Sequence, residues 1–365
     1  MTGARPLRVV VAGTAFGRIY LDAVRSDPES FELAGILSQG SAFSRALAAE
    51  RGVPSYADPS EVPADVDVVC VVVRSGATGG TGSELAREFL RRGTHVLQEH
   101  PVHAEEIAQN LRAARDGGAA YAVNTLYHDI EPVRTFLDAV ARLRAEHPLR
   151  FVDAACNSQV LLPLLDVLGR VAGALRPWAF GDCDPVPERL AVLAAQPQPF
   201  RALHAVVGGL PVTLRVQNQV HPDDPDNHSH LLHRISVGTD AGVLELADTH
   251  GPVLWNPRLH SPRDETGRLV LAGPGTERLA VPSTSVLQEA PGTFHDVFAR
   301  LWPGAVRASL LRLRADIDRP ARRTAAGQWA LSVATAWADL TAKLGMPEVV
   351  RPAEPPVVDR RELVR

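Results

Sequence analysis

Four times within the first 125 residues, a short β-branched run is followed by ten or so residues whose apolar positions recur at helical spacing. Residues 8–13 read as a strand and 16–25 as a helix. Strands over 32–37, 66–73 and 95–98 are each followed by a helix, over 41–51, 83–92 and 103–116, and a last strand over 120–124 closes the series. Strands joined through helices run parallel, with helices on both faces of the sheet, and ligands lie outside the C-terminal strand ends. Residues 1–125 are therefore expected to form a doubly wound nucleotide-binding domain.

The pattern changes after Tyr127. A helix is expected over 131–147, a strand over 151–156 and an apolar helix over 161–175. Segments 202–207, 212–221, 231–238 and 242–248 then have strand character with no crossover helix between them, which suggests one antiparallel sheet. Residues 256–292 are rich in Pro, Gly, Arg and Asp and read as long loops. Helical periodicity returns over 293–317 and 321–343, and the tail over 346–365 is expected to be extended. The expected class is α/β: a doubly wound parallel sheet followed, over 126–365, by an α/β domain with a large, mostly antiparallel open sheet.

Composition narrows the chemistry. The chain of 365 residues has room for two domains and a cleft between them. Its 38 basic and 42 acidic residues leave a formal charge of −4, which argues against nucleic acid as the main partner. No apolar run approaches the ~20 residues of a bilayer span, and none near the start suits a signal peptide, so a soluble cytoplasmic protein without membrane contact is expected. Cys70, Cys156 and Cys183 are odd in number and far apart, which disfavours disulfides and a closed zinc site. Lys343, near the C-terminus, is the single lysine, so a Schiff base or a lysine-based phosphate loop is nearly ruled out.

The first strand ends in Gly13-Thr14-Ala15-Phe16-Gly17-Arg18. Gly13 permits a tight turn, Ala15 is small enough for a pyrophosphate to approach, and the following helix offers free N–H donors, so the Rossmann fingerprint is met in physical terms though not in spelling. At the end of the second strand, where a carboxylate would bind the 2′-hydroxyl of NAD, stand Ser38, Gly40, Ser41, Ser44 and Arg45 with no acid among them. Hydroxyls, a helix N-terminus and a guanidinium suit a 2′-phosphate, so NADPH is expected. Taken singly, Ser41 also reads as a helix cap and Arg45 as a solvated residue. The glycine-rich loop over 74–82, starting with Arg74 and Ser75, reads either as lying along the cofactor or as a flexible connection.

The fourth strand ends in Gln98-Glu99-His100-Pro101-Val102-His103 and the fifth in Asn124-Thr125-Leu126-Tyr127-His128, both facing the expected nicotinamide. A Rossmann start, a Glu-x-Pro tripeptide and an antiparallel-sheet domain resemble the glucose-fructose oxidoreductase and inositol dehydrogenase family. Two departures argue against sugar oxidation: His100 replaces that family's Glu-Lys-Pro lysine, and after Asp166 its catalytic histidine position holds Arg170.

A narrower resemblance, to the thiazolinyl imine reductases of siderophore assembly lines, runs over about residues 8–255. It rests on Gly13 to Gly17 with Tyr20 and Leu21, Gln39 to Ser41 with Ser44 and Arg45, Val72 to Ser75 and Gly79, Gly80 and Gly82. Further matches are Gln98 to Pro101 with His103, Asn124 and Thr125 with Tyr127, Asp223 to Asp226 with His228 and Ser229, His233 and Arg234, and Gly251 to Val253 with Trp255.

This resemblance implies NADPH-dependent reduction of the C=N bond of an aryl-thiazoline, tethered to a carrier protein of a nonribosomal peptide synthetase, and an enzyme that pairs as a homodimer. It also points to Tyr127 and His100 as catalytic. Hydride addition to C=N leaves negative charge on nitrogen, and a nearby proton donor stabilises it; Tyr127 is expected to donate, and His100 to orient or reprotonate it. Glu99 and Asn124 join Gly13, Thr14, Ala15, Phe16, Gly17, Ser38, Gly40, Ser41, Ser44, Arg45, Arg74 and Ser75 as the expected cofactor-binding set. His103 and His128 read as helix-start and loop residues. The run from His221 to His233 is rich in metal-ligand types, but its prolines and alternating acids read as a hairpin loop, and no metal is expected. Two rival functions stay open: a reductase of a free imine or carbonyl compound, and a non-catalytic NADPH sensor.

Overall fold

The computed structural model describes residues 5–73, 80–290 and 292–364. Its first layer alternates β1 (Leu7–Ala12), α1 (Gly17–Arg25), β2 (Phe31–Leu37), α2 (Ala42–Arg51), β3 (Ser55–Tyr56), β4 (Val68–Val71), α3 (Thr81–Arg91), β5 (His95–Glu99), α4 (Ala104–Asp116) and β6 (Tyr121–Asn124). These strands form one parallel sheet in the order β3-β2-β1-β4-β5-β6. The unbroken apolar run of β1 has a simple cause. Val9 and Val11 pack with Tyr20 and Leu21 on one face, Val10 and Ala12 with Phe89 and Ile107 on the other, so both faces are dry. Local chemistry sets the helix ends: Ser41 Oγ accepts the Ser44 N–H at the start of α2, and Gly52, at φ 69°, ends it.

The chain continues through α5 (Glu131–Glu146), β7 (Leu149–Asn157), α6 (Leu161–Ala172), β8 (Trp178–Phe180), the short α7 (Glu188–Ala191), β9 (Phe200–Val207), β10 (Leu210–Gln217), β11 (Gln219–Val220), β12 (His233–Thr239), β13 (Gly242–Leu246), β14 (Val253–Pro257) and β15 (Ser285–Gln288). Eight of these strands make the second sheet, in the order β15-β14-β13-β12-β7-β10-β9-β8. Leu203, Leu214, Ile235, Val237 and Leu244 are buried on its inner face, under α5 and α6, while Val206, Arg215 and Arg234 between them are exposed on the other. That alternation is the mark of a sheet with one wet face.

The fold class and the main elements are as expected, with three corrections. The second sheet is mostly antiparallel as expected, with one parallel pair, β7 beside β10 at its centre, and α6 carrying the chain over the sheet between them. The 256–292 segment contains an edge strand, β15, and a 3₁₀ turn over Glu277–Ala280. The expected single helix over 293–317 is divided into α8 (Phe294–Asp296), a π-helical turn (Val297–Leu301) and α9 (Trp302–Asp316). The tail supplies a short strand, β16 (Glu348–Val349), which pairs with β11.

The last helices return to the first sheet. α9 packs on α1, while α10 (Pro320–Leu344) packs on α4, β6 and α6. Among the described residues no helix is long and apolar enough to cross a membrane.

Candidate active site

In this strand order the chain reverses direction across the sheet between β1 and β4, and the crevice outside their C-terminal ends is the place where such sheets take ligands. Gly13 forms its floor at φ 104°, and a Cβ there would lie 2.3 Å from the Val72 carbonyl oxygen, so no other residue fits. Thr14 is half-buried and Ala15 exposed beside it. Phe16 occupies the cap position of α1 without a side-chain cap, and Gly17 begins the helix against Val11, so no side chain covers the helix start, where the Ile19 N–H donates to Phe16 O at 3.0 Å.

The Gly13 N–H donates to Leu37 O at 2.9 Å, which fixes this turn beside the end of β2. There Ser38 Oγ accepts from the Gly40 N–H at 3.3 Å, and the exposed Arg45 guanidinium donates to Gly40 O. Ser41 is exposed and caps α2. Ser44 is fully buried, its hydroxyl donating to Ser41 O at 2.9 Å, so it supports the turn from within and presents nothing outward. Arg74 and Ser75, with the rest of 74–79, lie outside the described residues.

At the ends of β5 and β6 the structure gathers Glu99, His100, Asn124 and Tyr127. Glu99 accepts from the Tyr20 hydroxyl and, at 3.3 Å, from Asn124 Nδ2, while its other oxygen lies 3.3 Å from His100 Nε2. Burial pushes the Glu99 carboxyl up to about 8 against the opposing effect of those hydrogen bonds, so it is a neutral acid at pH 7. Asn124 also donates to Tyr20 Oη at 2.6 Å, and its carbonyl oxygen accepts the Leu126 N–H at 3.0 Å, with the Ser309 hydroxyl 2.9 Å away. Glu99 and Asn124, expected at the cofactor, thus form a buried support behind His100, and both ends of Asn124 are engaged within the protein.

His100 Nδ1 is buried and has no hydrogen-bond partner. Burial, with the neighbouring His233 adding to it and Asp166 opposing it, lowers the His100 pKa to about 4, so the ring is neutral at pH 7. The Tyr127 ring meets His100 edge-on at 6.0 Å between centroids and His233 at 4.8 Å. Burial pushes the Tyr127 phenol above its ordinary range, and the charge that Glu99 carries once ionised at high pH, with those of Asp226 and Asp248, adds to the effect. His233 is held in place: its Nε2–H donates to Val160 O at 2.9 Å, its Nδ1 accepts from the Thr249 hydroxyl at 3.0 Å, and burial lowers its pKa to about 4.

Tyr127 is aimed by a strained backbone. Leu126 has φ 61° and ψ −55°, and the Tyr127 N–H donates back to Thr125 O at 2.6 Å, which makes a γ-turn of the disfavoured hand. A buried polar network holds that turn. Thr125 donates to Asp166 Oδ2 at 2.5 Å, and His128 Nδ1 lies 2.9 Å from the same oxygen. Arg170 Nε and Trp329 Nε1 donate to Oδ1 at 3.0 and 2.7 Å. Asp166 and Arg170 therefore form a scaffold under the loop. They do not face Tyr127 or His100 as a catalytic pair. His128, expected as a plain loop residue, is part of this scaffold and also accepts from Arg312 at 3.0 Å, while Arg312 donates to Asp129 at 2.6 Å.

Tyr20, His233, Trp302 and the Asp166 network were not singled out as site residues from the sequence. Tyr20 had one signal, a hydroxyl-bearing ring on the buried face of α1 four residues after Phe16; the others depend on long-range packing. His103 caps α4 as expected. In the 221–230 loop, His221 Nδ1 accepts from the Asp223 and Asp224 N–H groups, and His228 Nε2 lies 3.0 Å from Gln219 O. Among the described residues no group of three His, Cys, Asp or Glu could hold a metal ion.

Residues 7–125 match the model of an oxidoreductase family with an NAD-binding Rossmann fold, and residues 147–256 match that of the Irp3-like thiazolinyl imine reductase C-terminal domain. No curated protein sequence matches the chain. Among solved structures, KijD10, a 3-ketoreductase from Actinomadura kijaniata in complex with NADP and TDP-benzene, is similar at 15% identity and a TM-score of 0.64, over 95% of this chain and 100% of that one. GenD2 from gentamicin A biosynthesis, in complex with NAD, is similar at 13% identity and 0.62, over 93% and 94%. A myo-inositol dehydrogenase assigned as such in Sinorhizobium meliloti 1021 reaches 14% and 0.60, over 92% and 98%. At these identities the likeness shows the fold.

Proposed function

Because the chain belongs to the NAD(P)-dependent Rossmann oxidoreductases, with a C-terminal domain of the thiazolinyl imine reductase type, we propose that it reduces the C=N bond of an aryl-thiazoline to a thiazolidine. The substrate is carried as a thioester on a carrier protein of a nonribosomal peptide synthetase, in siderophore or related thiazolidine biosynthesis. The observation that supports this reading is the edge-on packing of Tyr127 against His100, whose Nδ1 is buried and has no hydrogen-bond partner, at the C-terminal sheet edge. The single lysine, Lys343, is paired with Asp182 at 2.7 Å.

The Gly13 turn and the open start of α1 suit a pyrophosphate, and the exposed Ser41 and Arg45, with no acid beside them, favour NADPH over NADH. When bound, the reduced nicotinamide supplies the hydride. The protein's part is the proton. Tyr127 stays protonated at neutral pH and donates to the ring nitrogen as negative charge develops there. His100, neutral at pH 7, orients the site through an N–H; the low pKa disfavours the imidazolium that reprotonation of Tyr127 by His100 would require. Glu99, a neutral acid 3.3 Å from His100 Nε2, is the adjoining proton store. Exposed Phe151, Val206 and Val286 lie on the second sheet, with Val206 on its wet outer face, and a homodimer through that face is the expected assembly; sedimentation velocity giving a monomer at micromolar concentration would remove it.

The test is incubation with NADPH and a carrier-bound aryl-thiazoline, followed by mass measurement of the ejected phosphopantetheine adduct. A gain of two hydrogens (~2 Da) that requires NADPH is expected. No mass change despite NADPH binding would remove the reaction and leave a reductase of free substrates or an NADPH sensor; equal turnover of untethered substrate would remove the carrier.

A further inference from the structure

An unbroken series of ring contacts leads from the cofactor turn to the surface, and Trp302 is its centre. The Trp302 ring lies 5.6 Å from Phe16, 6.5 Å from Tyr127, 6.1 Å from His250 and 4.9 Å from Phe298, centroid to centroid. His250 lies 6.2 Å from Phe294, and Trp302 Nε1 donates to His250 Nε2 at 3.2 Å, so the indole's one polar atom is satisfied. At the inner end are the candidate acid and the turn after β1. At the outer end Phe298 is 50% exposed and Phe294 74%.

The backbone under these rings is ordered. Thr293 and Asp296 cap each other reciprocally at the start of α8, and the π-helical turn joins α8 to α9, so that Phe294, Phe298 and Trp302 recur at four-residue intervals. The matched family segments end at residues 125 and 256, so this element lies outside both. Exposed Phe rings contribute little to the stability of a fold. Two of them on ordered backbone, continuous with a buried site, indicate a ligand.

We propose that Trp302, Phe298 and Phe294, with His250, form the wall that receives a planar aromatic substituent on the reducible C=N ring, and so determine substrate specificity. The inference rests on the imine-reductase reading. Offset-stacked and edge-on contacts reward a flat aromatic ring, whereas a flexible pantetheine arm gains little from them. A substituent lying on Trp302 sets the attached ring towards Tyr127.

The experiment compares an aryl-thiazoline with a methyl-thiazoline, both as carrier thioesters, for the wild type, Phe298→Ala and Phe294→Ala. The expected result for Phe298→Ala is a fall of about tenfold in the ratio of kcat/KM for aryl over methyl substrate, through KM, with an unchanged melting temperature. An unchanged ratio, or KM values that rise equally for both substrates, overturns the proposal; the second outcome would assign the rings to the pantetheine arm. A readout without turnover is quenching of tryptophan fluorescence by a free aryl-thiazoline carboxamide, abolished by Trp302→Phe. If the wild type reduces neither substrate, the reductase reading fails; quenching at Trp302 would then still support the aromatic wall, and its absence would overturn it.

Discussion

Asp166 offers the sharpest test of how the Tyr127 loop is held, because its two oxygens meet donors of different kinds. Oδ1 accepts from Arg170 and Trp329, neither of which can accept a hydrogen bond; Oδ2 faces the Thr125 hydroxyl, which can, and His128 Nδ1, which carries the proton because Nε2 accepts from Arg312. In Asp166→Asn the amide is therefore expected to turn its carbonyl towards Arg170 and Trp329 and its NH₂ towards Thr125. That substitution keeps the contacts to Arg170, Trp329 and Thr125, loses the one from His128 and removes the charge. Asp166→Ala leaves all four donors without an acceptor. Breaking a buried ionic network costs about 3–5 kcal/mol, whereas loss of the charge together with the His128 bond should cost about 1–3 kcal/mol, with the Arg170 part weakened by that side chain's exposure.

The assay is urea unfolding followed by fluorescence and circular dichroism together, so that a departure from a single transition is seen. Burial opposes ionisation of Asp166, but the charges of His128 and Arg170 and the donated hydrogen bonds outweigh it and hold the carboxyl well below its usual range. Its contribution is present above the unfolded carboxyl pKa of about 3.9 and is lost as pH falls towards the folded value, so the gap between wild type and Asp166→Asn should narrow below about pH 4. An alanine variant no less stable than the asparagine variant would refute the reasoning.

Three further outcomes are expected. Arg45→Ala should raise KM for NADPH about 10- to 100-fold, from loss of a charge-assisted hydrogen bond, and leave KM for NADH nearly unchanged; equal effects would remove Arg45 from a 2′-phosphate site. Glu99 retains its proton up to about 8 in the fold but loses it near 4.3 when unfolded, so stability should fall as pH rises between those values, and Glu99→Gln should flatten that slope in chemical denaturation. Tyr127→Phe should lower kcat about 10²- to 10⁴-fold with little change in KM, and His100→Asn should lower kcat less; near-normal turnover by both variants would exclude this pair from acid catalysis.

The parallel sheet was legible because its strands are apolar on both faces and each is followed by a helix, as Val9, Val10 and Val11 show in dividing themselves between two cores. The short partners β3, β8 and β16 were not legible: two or three residues with no periodicity of their own become strands only where a neighbour offers a free edge, while β11 was legible only as the end of the strand expected over 212–221. The parallel placement of β7 beside β10 was hidden for a similar reason, since alternation reports which face is buried and says nothing of strand direction.

For the site, Gly13, Tyr127, His100 and the acid-free β2 end could be read from local order, because each occupies a strand end and strand ends define the crevice. Local sequence determined the residue types at the C-terminal edge of the first sheet and the need for glycine at the turn. Tertiary structure decided their states. Glu99 becomes a neutral acid and His100 a neutral imidazole because folding removes water from them, and Ser44 turns inward because α2 needs a cap partner. The Leu126 γ-turn that aims Tyr127 exists because Asp166, from a helix 40 residues later, holds Thr125 and His128 on either side of it. Trp302 reaches Tyr127 and Phe16 because α9 returns to pack on α1. Interactions between residues near in the chain can be read in order along it; those that set charge state and strain arise only when distant segments exclude water together.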